Sequence, residues 1–263
     1  MKKTYPCKVL SVTHLNEQVF TLTLKKPEAM EPIGPSQFFN LKSSEFPYLR
    51  RPISISRFDE NTFDFTIIIK GEGTSRMATL KPGAIVDVQG PLGNTYHIDP
   101  TWKRVLVVGG GIGVPPQSVL SEAIKAQTSA QTLVDVRLGF REAPYLLERF
   151  SHTADTLLVA SEAGLGDYKG YVTDLVTQAL DRDKYDQVFV CGPHILIEKV
   201  AQIALAKGVE AQLLMEERMA CGIGACMVCT CKIKDATRPE GYWHQRVCKD
   251  GPVFYASEVV FDV

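Results

Sequence analysis

No stretch of the chain approaches the roughly 18 consecutive apolar residues that read as a membrane-crossing helix, so none is expected. An excess of charge of either sign is also missing: 29 Lys and Arg stand against 30 Asp and Glu, a formal net charge of -1. Without a basic surplus there is no electrostatic case for nucleic acid or an anionic membrane as the main partner. The opening Met1-Lys2-Lys3-Thr4-Tyr5-Pro6-Cys7 has two lysines but no apolar core behind them, unlike a secretory signal, and a soluble, cytoplasmic protein is expected. The histidines (His14, His97, His152, His194, His244) have no paired metal-ligand spacing. No Gly-x-Ser-x-Gly or other nucleophile motif occurs, which leaves hydrolytic chemistry unsupported. Internal repeats, low-complexity tracts and long charge runs are absent as well.

What is present is ordinary globular composition, 45% hydrophobic and 22% charged, over 263 residues. That length suits about two domains with room for a small extra module. Residues 1–100 read as antiparallel β structure. Short β-branched or alternating runs (Cys7 to Val12, Gln18 to Leu24, Thr62 to Ile69, Ile85 to Gln89) are punctuated by turns such as Lys81-Pro82-Gly83 and Gly90-Pro91-Leu92-Gly93. Many short strands at this spacing, with little helical periodicity, predict a small barrel. Over 101–215 apolar strands alternate with helices. Strands are predicted at Val105 to Val108, Thr132 to Leu138, Thr156 to Val159, Gln187 to Val190 and Ala211 to Met215. Helices are predicted at about Pro116 to Lys125, Thr173 to Leu180 and Ile195 to Lys207. Such alternation implies a parallel sheet covered on both faces. Residues 216–263 are cysteine-rich, interrupted by glycine and irregular. The expected fold is therefore multi-domain: an antiparallel β-barrel, an α/β parallel-sheet domain and a small irregular module.

Five of the seven cysteines fall between 221 and 248, whereas Cys7 and Cys191 are isolated. Clustered thiols in a chain without a secretion signal point to metal or iron–sulfur ligation rather than disulfides. Cys221-Gly-Ile-Gly-Ala-Cys226-Met-Val-Cys229, with Cys248 downstream, is the C-x4-C-x2-C…C spacing of a plant-type [2Fe–2S] cluster. Gly222 and Gly224 open backbone angles that let amides turn toward the sulfurs. The rival is structural zinc, which usually pairs two C-x2-C knuckles; only one occurs here. Cys231 is read as a non-ligand that shares a strand face with Ile233.

Three further motifs sit at element ends. Gly109-Gly110-Gly111-Ile112-Gly113-Val114-Pro115-Pro116 follows an apolar strand and ends as G-x-G-x-x-P, a departure from the dinucleotide fingerprint. Proline suits the first turn of a helix, so a phosphate site at that helix start remains open, as does a plain βα turn. Arg50-Arg51-Pro52-Ile53-Ser54-Ile55-Ser56, together with Gly71-Glu-Gly-Thr74, can hold a diphosphate or form a basic turn before a strand. Cys191-Gly192-Pro193 closes a strand at the sheet edge where ligands bind. A helix start there favours a thiolate, while a small buried hydrophobe is the alternative.

In this order the motifs resemble the ferredoxin reductase family over about 5–215. With the cysteine module added, the whole chain is similar to the electron-transfer subunits of dihydroorotate dehydrogenase B. Lys169-Gly-Tyr-Val-Thr-Asp174, Glu216-Glu-Arg-Met-Ala-Cys221 and Cys248-Lys-Asp-Gly-Pro-Val-Phe254 carry that likeness further. The resemblance implies FAD on 1–100, NAD as the substrate of 101–215 and the [2Fe–2S] cluster on 216–263. Arg51, Pro52, Ile53 and Ser54 would line FAD, with Arg51 at the diphosphate and Ser54 near the reactive ring nitrogen. Ile68, Ile69 and Lys70 would flank it, while Gly73 and Thr74 would offer diphosphate N–H groups. Gly109, Gly110, Gly111, Ile112 and Gly113 would face the nucleotide, and Cys191, with Gly192 and Pro193, would lie by the nicotinamide. Cys221, Cys226, Cys229 and Cys248 would hold the cluster. Pro115 and Ala163 depart from the family's pattern, at the turn before the helix and at the nucleotide edge.

The same likeness implies an FMN-containing dihydroorotate dehydrogenase catalytic subunit as partner, in a two-plus-two heterotetramer serving pyrimidine synthesis. Electrons would run from the partner through cluster and FAD to NAD+. Two other readings stand beside it: an NADH-dependent reductase feeding an oxygenase or other redox partner, and a non-catalytic zinc-stabilised binding module. NAD rather than NADP is expected, since Gly139-Phe-Arg-Glu142 makes no clear 2′-phosphate site.

Overall fold

The computed structural model describes residues 3–261. Its first part contains seven strands: β1 (Thr4–His14), β2 (Val19–Lys25), β3 (Phe38–Lys42), β4 (Arg51–Ser54), β5 (Arg57–Phe58), β6 (Thr62–Ile68) and β7 (Ile85–Leu92). One short helix, α1 (Glu72–Ala78), lies between β6 and β7. The strands form one antiparallel sheet in the order β4-β3-β7-β1-β2-β6-β5. Its two edge strands, β4 and β5, are joined by only Ile55 and Ser56. The Ile55 N–H donates to Gln37 O and the Ser56 N–H to Asp64 O. The sheet therefore has to curl until its edges meet. Inside the resulting half-barrel, Phe39, Phe63 and Phe65 pack edge to face with centroids 5.1–5.7 Å apart, contacts of about 0.5–1.5 kcal/mol each.

The second part adds β8 (Arg104–Gly110), α2 (Val114–Gln127), β9 (Leu133–Phe140), β10 (Thr156–Ser161), β11 (Tyr168–Lys169), α3 (Val172–Arg182), β12 (Gln187–Cys191), α4 (His194–Ala206) and β13 (Ala211–Leu214). Its strands are parallel in the order β11-β10-β9-β8-β12-β13. Alternate residues of β8 explain the continuous apolar run. Val105 and Val107 pack with Leu120 and Ile124 of α2, while Leu106 and Val108 pack with α3 and α4. The order reverses between β8 and β12. In an open parallel sheet the crevice at the strand C-termini of such a switch point is where ligands bind. Gly109 and Cys191 stand side by side there.

The last part carries β14 (Thr230–Lys234), β15 (Tyr242–Arg246), β16 (Val253–Tyr255) and β17 (Val259–Val260). Strands β15, β14 and β17 form a small antiparallel sheet, so this region is more regular than its glycine and cysteine content predicts. Strand β16 instead adds antiparallel to β13, which stitches the cysteine-rich region onto the parallel sheet. No helix among the described residues is long and apolar enough to cross a membrane.

Candidate functional site: a cavity beside a cysteine loop

A cavity of about 590 Å³ lies where the three parts meet, within the usual size range of cofactor pockets. From the half-barrel, β4 supplies Arg51, Pro52, Ile53 and Ser54, and the end of β6 with the turn after it supplies Ile68, Lys70 and Thr74. The switch point supplies Ile112, Gly113, Cys191 and Gly192. Gly109, Gly110, Gly111, Ile69, Gly73 and Pro193 are predicted site residues that do not line this cavity directly. Gly73 still matters to it, because a methyl group added there would run into the Arg51 guanidinium. The arginine thus lies across the start of α1, and Thr74 Oγ1 accepts from the Lys70 and Gly71 amides at 3.0 and 3.2 Å. An arginine guanidinium so placed is a donor suited to a diphosphate.

The glycines of the βα turn do two different jobs. Gly111 has φ of +52°, a left-handed conformation costly for other residues. Gly113 is needed for space, since an added Cβ would collide with the backbone of Cys191 and Gly192. The close approach of α2 to the end of β12 depends on that missing side chain.

Cys191 is buried, and burial pushes its thiol well above the usual range, with the Glu216 carboxylate adding to the effect. The helix start was expected to favour a thiolate; loss of solvent outweighs it, and a neutral thiol faces the cavity. Sequence reasoning missed the strip that closes the cavity on its third side, Met215, Glu216, Glu217, Arg218, Met219 and Ala220. Its signals were its position, between the last parallel strand and the first clustered cysteine, and the Glu216-Glu-Arg-Met-Ala run that carries part of the family likeness. Glu216 also reaches Lys70 at 3.9 Å, an exposed pair of little energetic weight.

Beyond that strip the cysteine loop turns on left-handed residues at Gly222, Gly224 and Met227. Its amides point at sulfur: Gly224 N to Cys248 Sγ at 3.1 Å, Ala225 N to Cys221 Sγ at 3.3 Å, and Cys248 N to Cys229 Sγ at 3.4 Å. Burial works to raise the Cys221 thiol, but donors from Ile223, Cys226 and Ala225 outweigh it and bring it down to about 6. Cys248 is pushed up to about 12 by burial and by its neighbour Cys229. Cys226 thus acts on the Cys221 sulfur, and both Cys229 and Cys221 act on that of Cys248. Two thiolates for each of two irons is the donor set of a [2Fe–2S] cluster. Among the described residues no three His, Cys, Asp or Glu side chains converge as on a single ion.

The loop is braced from outside. Asn40 of β3 donates to Cys221 O at 3.2 Å, and Arg246 donates to Gly224 O at 2.9 Å while forking onto Asp250. Cys231 lies apart, buried with Ile233 on one face of β14, its thiol pushed up to about 12 chiefly by burial.

A curled antiparallel sheet, a parallel sheet with a cavity at its switch point and an appended cysteine loop define a ferredoxin-reductase-like protein with an iron–sulfur module. A solved structure of an NADH-dependent reduced ferredoxin-NADP oxidoreductase superposes with a TM-score of 0.86 at 27% identity, covering 99% of this chain and 91% of that one. Residues 216–260 match the model of the iron-sulfur cluster binding domain of dihydroorotate dehydrogenase B. The dihydroorotate dehydrogenase B (NAD(+)) electron transfer subunit of Caldanaerobacter subterraneus is 34% identical over 99% of this chain and 100% of its own length. That of Clostridium acetobutylicum is 34% identical over 100% of both chains. The chain belongs to the family of dihydroorotate dehydrogenase B electron-transfer subunits.

Proposed function

We propose that this chain carries electrons between an FMN-containing dihydroorotate dehydrogenase catalytic subunit and NAD+, with a [2Fe–2S] cluster and FAD as its resident carriers, in pyrimidine biosynthesis. The observation that carries the reading is the convergence of all three parts on one cavity, with the cysteine loop joined to it through residues 216–220. Nicotinamide exchanges two electrons as hydride and an iron–sulfur cluster exchanges one, and a bound flavin supplies the conversion between them.

Within that reading 1–100 binds FAD, 101–215 binds NAD and 216–263 binds the cluster. Arg51 holds the diphosphate with the amides of Gly73 and Thr74, and Pro52, Ile53, Ile68, Ile69 and Lys70 flank the cofactor. The Ser54 hydroxyl and the neutral Cys191 thiol sit where ring and nicotinamide meet. Gly109 to Gly113, with Gly192 and Pro193, receive the nucleotide. Cys221, Cys226, Cys229 and Cys248 are the cluster ligands. Met215 and Met219 help keep water from the cavity.

The partner docks over the cysteine loop. Cys226 is exposed there, beside exposed Ile223, Met227 and Val228, the apolar surroundings expected of an interface core. The assembly holds two copies of each subunit, in the cytoplasm. The test is to co-purify this chain with its catalytic partner and follow dihydroorotate-dependent NADH formation. The activity is expected only with both subunits, and Met227→Asp should separate them; NADH formation by the catalytic subunit alone refutes the reading.

A further inference from the structure

A polar contact outside the cavity lining joins the half-barrel to the parallel sheet. Arg149 belongs to the short 3-10 helix Leu147–Phe150, between β9 and β10. Its Nη1 donates to the Ser56 carbonyl at 2.7 Å and its Nη2 lies 3.5 Å from Asp64 Oδ2. Both side chains are largely buried, at 15% and 9% exposure. Ser118 of α2 reaches the same Ser56 carbonyl at 3.5 Å while donating to Pro115 O at 2.8 Å. Ser56 is itself immobilised from the barrel side. Its N–H and hydroxyl both donate to Asp64 O, at 3.0 and 2.9 Å, and its hydroxyl accepts from Thr66 at 3.2 Å.

This knot sits at the junction of two segments that line the cavity. Ser54 lies two residues before Ser56 on the same extended chain. Gly113 immediately precedes α2, the helix that carries Ser118. Arg149, Ser118, Ser56 and Asp64 do not themselves line the cavity, so an effect of Arg149 on the chemistry has to pass through the relative placement of those segments. A buried guanidinium costs several kcal/mol of desolvation unless it is paired and hydrogen-bonded, and this one spends its pairing across the seam rather than within its own sheet.

We propose that Arg149 is a positioning residue: by gripping Ser56 and Asp64 it fixes the separation of the flavin-lining strand β4 from the nucleotide-binding turn Gly111–Gly113. The inference rests on the functional reading above. Reacting groups misplaced by about 1 Å lose on the order of 10²-fold in rate, so a tie of this kind shows in the transfer step more than in affinity.

The experiment compares Arg149→Lys, Arg149→Met and wild type as holoprotein with matched FAD and iron content. Flavin reduction by NADH is followed by stopped flow over a range of NADH concentrations, with the long-wavelength charge-transfer absorbance of the nucleotide complex recorded alongside. The limiting rate should fall at least about 10-fold in Arg149→Met, with an apparent NADH affinity within about 3-fold of wild type and a weaker charge-transfer band. Arg149→Lys keeps the charge but not the two-pronged grip, and should fall in between. A wild-type limiting rate and band in Arg149→Met overturn the proposal. If that variant yields no holoprotein, Arg149→Lys decides: a rate below about one third of wild type supports the proposal, and an unchanged rate overturns it. Wild-type flavin that NADH does not reduce removes the functional reading and this inference with it, an outcome distinct from any difference between variants.

Discussion

Gly113→Ala is the sharpest single-atom perturbation the fold offers. The added Cβ would stand 2.5 Å from Gly192 N and closer still to the Cys191 carbonyl group, where ordinary contact begins at 3.4 Å. The turn and the end of β12 must therefore part by at least about 0.9 Å. The obstacle is backbone on both sides, so no side-chain rotation relieves it. Overpacking of this sort costs about 2 kcal/mol, a fall in Tm of roughly 4–8 °C for a domain of 150–250 residues. The same displacement opens the switch point and should slow flavin reduction by NADH at least about 10-fold. Gly111→Ala is the control, because nothing lies within 4 Å of its Cβ and only its φ of +52° resists the change. It should cost about 1–2 kcal/mol through the backbone, and Gly111→Asn should cost less. Thermal unfolding and stopped-flow reduction of the holoprotein test both. An unshifted Tm in Gly113→Ala would mean that the close approach of α2 to the end of β12 does not depend on the missing side chain.

Other expectations follow from the same geometry. Gly73→Ala displaces the tip of the Arg51 side chain, which can move, so Tm should hold while FAD affinity drops about 10–100-fold, the loss of one charge-assisted hydrogen bond of 1.5–3 kcal/mol; equilibrium titration of the apoprotein with FAD checks it. Cys231→Ala should retain full iron content and Cys229→Ser should lose it, as measured by iron assay on anaerobic preparations. Asp135 is buried, yet hydrogen bonds from Thr156, Tyr185 and Arg104 outweigh its burial and hold its carboxyl below the usual value. A carboxyl lowered by folding stabilises above its unfolded value of about 4 and loses that contribution as pH falls through the lower folded one. Asp135→Asn should therefore cost about 1.5–3 kcal/mol at neutral pH by removing charge-assisted hydrogen bonds, with Arg104 still paired to Asp183, and should blunt the acid limb of a denaturation profile below pH of about 4.

The parallel sheet was nearly fully legible because strands buried on both faces must be apolar throughout. Val105 to Val108 and Gln187 to Val190 announce themselves and are observed within β8 and β12. The half-barrel was less so. Strand β3 reads Phe-Phe-Asn-Leu-Lys without alternation, since Asn40 is buried to brace the cysteine loop. Helix α1 is too short to show a period, and its Gly71-Glu72-Gly73 start reads as a turn. At the candidate site the cysteine spacing is local and could be read directly. The strip 216–220 and the Arg149–Asp64 contact could not, because each acquires its meaning only from segments far away in sequence.

The most direct test of the account is the cofactor content of the anaerobically purified protein. One FAD with two irons and two acid-labile sulfides per chain, the content of a single [2Fe–2S] cluster, is the predicted result. A colourless protein carrying zinc on Cys221, Cys226, Cys229 and Cys248 would contradict it.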